Sequence, residues 1–489
     1  MTAEAEGPAL PVKIDSTSNG EFLPVAVPDR LQAACDRAAE RVSDNARRLG
    51  LPRRQFMASL CGAATTFVAL NEAHAARGNA GGRFAVRPEA AFEPAAAAED
   101  LTSDGLIFDV QTHMVDPQGS WRNNAGRAFE RILAWWPQGS CGAPDPTDCY
   151  DVDHFIREVF LDSETDLAVL SFVPAPEPYN PLSAKEADNV RRLVDTLDAG
   201  HRLLLHGMVL PNLPPPSRQL DAMAEAAAAW PIAAWKVYTQ WGPKGRGWAL
   251  DDPKIGIPFI EQARALGIKN ICIHKGLPLR RMSPDFVTCA DVGRAAKLFP
   301  DVNFIVYHSG FETDRREGPY DPADAARGID ALVKSLADNG IPPNRNVYAE
   351  LGSTWRMVMR DPTAAAHTLG KLLKHVGEDR VLWGTDSIWY GSPQDQILAF
   401  RSFEISAALQ DRHGYPALTP AIKVKVFGLN GISVYGLDMA DFRRKAETDA
   451  VRVARENYRP QSSPSFSTYG PRTRREFLEL ERLRGGYPD

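Results

Sequence analysis

Leu106-Ile107-Phe108-Asp109-Val110-Gln111-Thr112-His113 is the stretch from which the rest of the chain can be read. Residues 106–111 form an apolar run of strand length. His113 stands two residues beyond Gln111, so the two side chains share one side of an extended segment. Seven runs of the same kind follow at 167–173, 203–210, 232–238, 270–274, 303–308, 346–350 and 380–385. Helical stretches separate them, among them 184–199, 218–229, 258–266, 289–299, 322–338 and 362–375. Short buried-type strands alternating with helices imply a parallel sheet, and eight such units close into a barrel. A doubly wound sheet would carry a glycine-rich phosphate turn after its first strand, where this chain has Gln111-Thr112-His113-Met114-Val115. The expected fold class is therefore α/β, a (β/α)8 TIM barrel with long active-site loop insertions.

The strand ends carry the titratable residues. His113 follows the first strand, His274 ends the fifth, His308 ends the sixth, Glu350 ends the seventh and Asp386 follows the eighth. In a (β/α)8 barrel the site is built at this rim. Two imidazoles and a carboxylate with an open fourth position make a catalytic site for zinc and related ions, and His113, His274 and Asp386 supply that set. Gln111 is expected within reach of the same ion. The loop after the first strand carries Trp121, Trp135, Trp136, Cys141 and Cys149, and the loop after the fourth carries Trp241 and Trp248. These aromatics either wall a pocket or simply pack their loops. His206 reads as a barrel residue, and His154, His201, His367, His375 and His413 as surface groups.

Phe108-Asp109-Val110-Gln111-Thr112-His113, Ile273-His274-Lys275-Gly276, Tyr307-His308-Ser309-Gly310 and Trp383-Gly384-Thr385-Asp386, with Val426-Phe427-Gly428-Leu429-Asn430-Gly431 closing the series, together resemble the amidohydrolase superfamily, its amidohydrolase-2 branch in particular. The resemblance covers about 104–437. It implies one divalent metal, zinc by preference and manganese as the alternative, serving either hydrolysis or nonoxidative decarboxylation. On the hydrolytic reading, metal-activated water attacks a lactone, ester or amide bond of a small organic substrate. Asp386 then moves the proton and His308 stabilises the developing charge. On the carboxy-lyase reading, an aromatic or unsaturated acid loses carbon dioxide at the same residues. The branch usually has His-x-His at the first strand, and Gln111 replaces the first histidine; an amide oxygen is a weak ligand. That departure motivates a third reading, a barrel that binds a ligand without turning it over. Lys236, on the fourth strand, and Glu350 are expected to face the substrate.

Outside the barrel the sequence changes character. Residues 1–50 hold one amphipathic helix, from about residue 28 to 48, and read as a leader without a core of its own. Arg53-Arg54 precede a weakly apolar run and Ala73-His74-Ala75, which resembles a twin-arginine signal with a cleavage site. The expected organisation is a leader over 1–75, a linker over 76–103, the barrel over 104–438, and a C-terminal helix and extended tail over 439–489. The signal implies export to the periplasm or beyond, with a cytoplasmic location as the alternative. The 489 residues are 44% hydrophobic and 24% charged, with a net charge of −6. Mild acidity without clustered Lys and Arg argues against a nucleic-acid partner, no run is long enough for a membrane anchor, and the expected partner is a small molecule; homo-oligomerisation is left open. Six cysteines are too few for a disulfide scaffold, but in an oxidising compartment Cys141 and Cys149 can pair.

Overall fold

The structure, a computed structural model, describes residues 9–483 except 77, 79–80, 125–140, 142, 144, 177–178, 198–200, 279–282, 441, 443–449, 460–465, 467 and 469. Trp135 and Trp136 lie outside the described residues. A short strand, β1 (Gly82–Phe84), precedes eight parallel strands: β2 (Phe108–Thr112), β3 (Leu167–Leu170), β4 (Leu203–Met208), β5 (Ile232–Tyr238), β6 (Asn270–His274), β7 (Asn303–Tyr307), β8 (Val347–Glu350) and β9 (Val381–Leu382). These eight pair in chain order. The ring closes because Val110 N donates to Trp383 O at 3.0 Å and Asp386 N to Gln111 O at 2.9 Å. Closure leaves the sheet without an edge, and β2, β3 and β8 are buried at every residue. This is why their sequences read as unbroken apolar runs rather than alternating ones.

Register sets the level of the functional side chains. Asn270 pairs with Asn303 and His274 with Tyr307 along β6 and β7, so His308 lies one residue past the level of His274. The helices between strands match the periodicity closely, as in Ala184–Leu197, Pro216–Ala229 and Pro362–His375. Gly431 lies against Phe108, with no room for a Cβ, so the closing helix Asn430–Tyr435 seats on β2.

The flanks depart from the expected organisation. Helices α1 (Asp29–Arg48), α2 (Arg53–Met57) and α3 (Leu60–Ala75) pack into the core that the outer face of the barrel shares. The leader without a core is therefore corrected. On α1, Leu31, Ala34, Cys35, Ala38, Val42 and Ala46 are buried, a spacing of three and four residues that makes one apolar stripe. Residues 61–70 of α3 are buried on all sides, and Phe67 stacks on Phe84 at 4.7 Å. The weak apolarity that suggested a signal is equally that of a small-residue helix inside a core. The linker over 76–103 is also corrected: β1 pairs antiparallel with β10 (Phe403–Ile405), and α4 (Pro94–Leu101) buries Ala96, Ala97 and Leu101.

The C-terminal tail is not simply extended either. In the helix Ala450–Tyr458, Arg455 donates to Phe160 O at 2.8 Å and Thr165 O at 2.6 Å. Ser18 N donates to Pro471 O at 2.9 Å, so the tail lies against the N-terminal segment, and a further helix follows at Arg474–Leu483. Cys141 and Cys149 form a disulfide with a Cα–Cα distance of 5.6 Å, which restrains the loop after β2. Trp121 and Trp248 are buried side chains of their loops, Trp121 donating to Asp116 O and Trp248 packing edge-on against Phe259. His367, expected at the surface, is buried against Tyr415.

Candidate active site

Strained backbone gathers at the carboxyl ends of the strands. Leu277, His308, Ser309, Ser353 and Asp386 all have φ between 37° and 64°. Such conformations cost non-glycine residues free energy and persist where surrounding structure holds them, often at functional sites. Glu350 does part of the holding. Its carboxylate accepts from His308 N at 3.0 Å and from Gly352 N at 2.5 Å, and Gly352 and Gly384 leave it room where a Cβ would collide. Burial pushes the Glu350 carboxyl up to about 8. It acts as a clamp on the backbone of both turns.

Around Asp386 every acceptor position is taken. Oδ1 accepts from Gln111 Nε2 at 2.7 Å and lies 3.1 Å from His113 Nε2, while Oδ2 accepts from Ser353 Oγ at 2.6 Å and Asn19 Nδ2 at 3.0 Å. Burial alone would raise its pKa. The hydrogen bond and electrostatic attraction of His113, the attraction of His308 and the Ser353 hydrogen bond outweigh it and hold Asp386 at about 2. Trp389 stacks on His113 at 5.3 Å, fixing the ring.

His274 and His308 form a second cluster beside it. His308 Nδ1 lies 2.7 Å from Gly352 O, and His274 Nε2 lies 3.4 Å from Leu277 O. A carbonyl is only an acceptor, so each of these nitrogens carries the ring's proton. The remaining two nitrogens, His308 Nε2 and His274 Nδ1, then face one another at 3.3 Å as bare lone pairs. Burial lowers the pKa of both rings, to about 4 for His308 and well below the ordinary value for His274, with His308 adding to the latter effect. Both are neutral at pH 7. Two neutral imidazoles presenting lone pairs to one point suit a cation.

A third donor comes from the N-terminal segment. Glu21 Oε1 lies 3.6 Å from His274 Nδ1, and the donor atoms of Glu21, His274 and His308 all fall within 4.8 Å of one another. Asn19 Nδ2 donates to Glu21 Oε2 at 2.8 Å as well as to Asp386, joining the two clusters.

The expected metal set is thus divided. His113, Gln111 and Asp386 come together, His274 joins His308 and Glu21 instead, and Gln111 spends its amide hydrogen on Asp386 while its Oε1 is buried without a hydrogen-bond partner among the described residues. Lys236 is fully buried, with Nζ 3.6 Å from the centre of the Tyr307 ring and no hydrogen-bond partner among the described residues. Burial lowers it to about 8 against the pull of Cys272, Glu21, Asp386 and Glu350, so its charge acts on the site through the field. His206 bonds Ser171 and Tyr435 inside the barrel, as expected. Sequence reasoning missed Asn19, Glu21 and Ser353; none of them stands in a motif.

The family model described as Amidohydrolase matches residues 108–437. Solved structures similar in fold include 2,6-dihydroxybenzoate decarboxylase from Rhizobium, at 14% identity over 68% of this chain and 99% of that one, TM-score 0.39. A 5-carboxyvanillate decarboxylase from Novosphingobium aromaticivorans, complexed with manganese, aligns at 15% identity over 68% and 97%, TM-score 0.40. An amidohydrolase from Burkholderia multivorans with bound zinc aligns at 14% over 68% and 100%, TM-score 0.37. No curated protein matches the chain.

Proposed function

We propose a metal-dependent hydrolase acting on a lactone, ester or amide bond of a small organic substrate, from the premise that this chain belongs to the amidohydrolase family, whose model covers more than half of it. The observation that carries the reading is the pair of neutral imidazoles, His274 and His308, whose lone pairs meet at 3.3 Å next to the ionised Asp386. The donor set of nitrogen and carboxylate oxygen suits zinc, with manganese as the alternative. A divalent ion there would polarise a carbonyl and lower the pKa of a bound water.

The chain's own residues do the remaining work. Asp386, a carboxylate at neutral pH, accepts the proton of the attacking water in place of one of the four hydrogen bonds its oxygens now receive, and returns it to the leaving group. His113 and Gln111 orient that carboxylate through Oδ1. Asn19 and Ser353 hold Oδ2, and the Ser353 hydroxyl in turn lies 2.9 Å from Tyr390 OH. Lys236 adds a positive charge that favours an anionic substrate. Decarboxylation is the second reaction within the family's reach, and it asks for an acid that protonates carbon.

Metal analysis combined with a screen of lactones, esters, amides and aromatic carboxylates tests the reading. Metal-dependent turnover of a carbonyl substrate is expected, with Asp386→Asn keeping the metal and losing turnover. Release of carbon dioxide from an aromatic acid would replace hydrolysis by the lyase reading. A protein that takes up neither zinc nor manganese would leave a ligand-binding barrel.

A further inference from the structure

We infer that Glu21 is a ligand of the metal centre, delivered by the N-terminal strap, so that the ion is held by His274, His308 and Glu21 and not by the first-strand pair Gln111 and His113. The inference rests on the metal-dependent reading above and asks which groups have lone pairs left to give. Asp386 has none unused, since four donors surround its two oxygens. His113 turns Nε2 toward that carboxylate. Gln111 keeps only a weak amide oxygen. The unspent donors are His308 Nε2, His274 Nδ1 and Glu21 Oε1.

Two of the three spacings match one tetrahedral ion, and the third pair, Glu21 and His308, lies within 4.8 Å. Donors about 2.1 Å from a tetrahedral ion stand about 3.4 Å apart. The two imidazole nitrogens are 3.3 Å apart, and Glu21 Oε1 is 3.6 Å from His274 Nδ1. Glu21 is only 15% exposed.

The strap that carries Glu21 is anchored just ahead of it. Lys13 N donates to Asp395 and Lys13 Nζ to Ser392 O, at 2.8 and 2.6 Å. Asp15 accepts from Arg356 and Thr468, each at 2.9 Å. Ser18 Oγ donates to Phe22 O at 2.5 Å, closing the turn, and Gly20 at φ 94° supplies the left-handed residue that it needs. Asn19 Nδ2 then holds Glu21 Oε2, which leaves Oε1 for the ion. A carboxylate placed by a fixed segment is preorganised as a ligand, in the way the missing first-strand histidine would have been.

The test uses the full chain. Zinc affinity is measured by competition with a chromogenic chelator, and the visible spectrum of the cobalt(II) protein reports the donor set. Glu21→Gln, which keeps the shape and removes the charge, should weaken zinc by about tenfold or more and alter the cobalt spectrum, with circular dichroism unchanged. Zinc X-ray absorption on the unsubstituted protein should fit two imidazoles and a carboxylate, and this readout stands even if the variant does not fold. Unchanged affinity in Glu21→Gln, with loss in His274→Ala, would overturn the ligand assignment and leave the metal-dependent reading intact; so would zinc held by three imidazoles. A wild-type protein that binds no metal would overturn both.

Discussion

Replacing Phe67 by alanine is expected to destabilise the folded protein by about 3–5 kcal/mol, a change of roughly a hundredfold or more in the ratio of folded to unfolded chains. Phe67 is fully buried in the middle of α3 and stacks on Phe84 of β1. Its neighbours Ala63, Ala64 and Leu70 are equally enclosed, so little can collapse into the space that its ring leaves. Urea unfolding of wild type and variant, followed by tryptophan fluorescence, measures the difference. Phe84→Ala should cost a similar amount, and the double variant less than the sum, because the two rings touch at 4.7 Å. If residues 1–75 were a leader that is lost or only loosely attached, Phe67→Ala would leave unfolding within about 0.5 kcal/mol of wild type, and that result would refute the integrated N-terminal region.

The metal-free protein should lose stability as pH rises from about 7 to about 8, above the range in which the buried histidines, lowered by burial, act in the opposite sense. Glu158, which burial pushes up to about 7, favours the fold fully only below its unfolded pKa and loses that contribution as pH passes its folded value. Asp109 at about 7 and Glu350 at about 8 act in the same sense, and denaturant midpoints that rise over this range in the presence of chelator would contradict it. Alkylation of the denatured, unreduced protein should label the four free cysteines, Cys35, Cys61, Cys272 and Cys289, and leave Cys141 and Cys149 until reduction; six labels by mass before reduction would disprove the disulfide. Export stays a proposal carried by Arg53 and Arg54: lysine at both positions should hold the protein in the cytoplasm, and unchanged localisation would remove it. N-terminal sequencing is expected to find residues 10–75 retained in the folded enzyme, because a start near Ala76 would take α3 from the core and Glu21 and Asn19 from the site.

The barrel was legible because its signal is local and repeated. Each strand is a run of two to seven residues in the folded chain, largely buried on both faces, and eight of them alternate with helices at regular spacing. The same local reading misplaced the flanks. A helix such as α3, made of alanine, threonine and a few larger apolar residues, has one composition whether it is an export signal or lies enclosed between α1 and β1. What distinguishes the two cases is contact with residues hundreds of positions away, such as the pairing of Gly82 with Ile405, and periodicity carries no trace of that.

At the site, alternation along a strand correctly brings Gln111 and His113 together, since both reach Asp386, and the rim of a barrel correctly gathers His274, His308, Glu350 and Asp386. Which of these present lone pairs to a common point is decided by hydrogen bonds beyond the first contact. Gly352 O and Leu277 O fix the two ring tautomers, and both carbonyls belong to turns that follow strands, where no motif announces them. Glu21 is the extreme case. Nothing in Asn19-Gly20-Glu21 suggests chemistry, and the segment reaches the barrel mouth only because Asp15 meets Arg356 and Ser18 meets Pro471, contacts with the far end of the chain. A ligand that closes a site from such a distance also ties folding to binding. Whatever ion the site holds stabilises only the conformation in which strap and barrel are together, so added zinc should raise the melting temperature of the wild type, and the rise should shrink in Glu21→Gln. An equal rise in both would mean that the ion does not feel the strap.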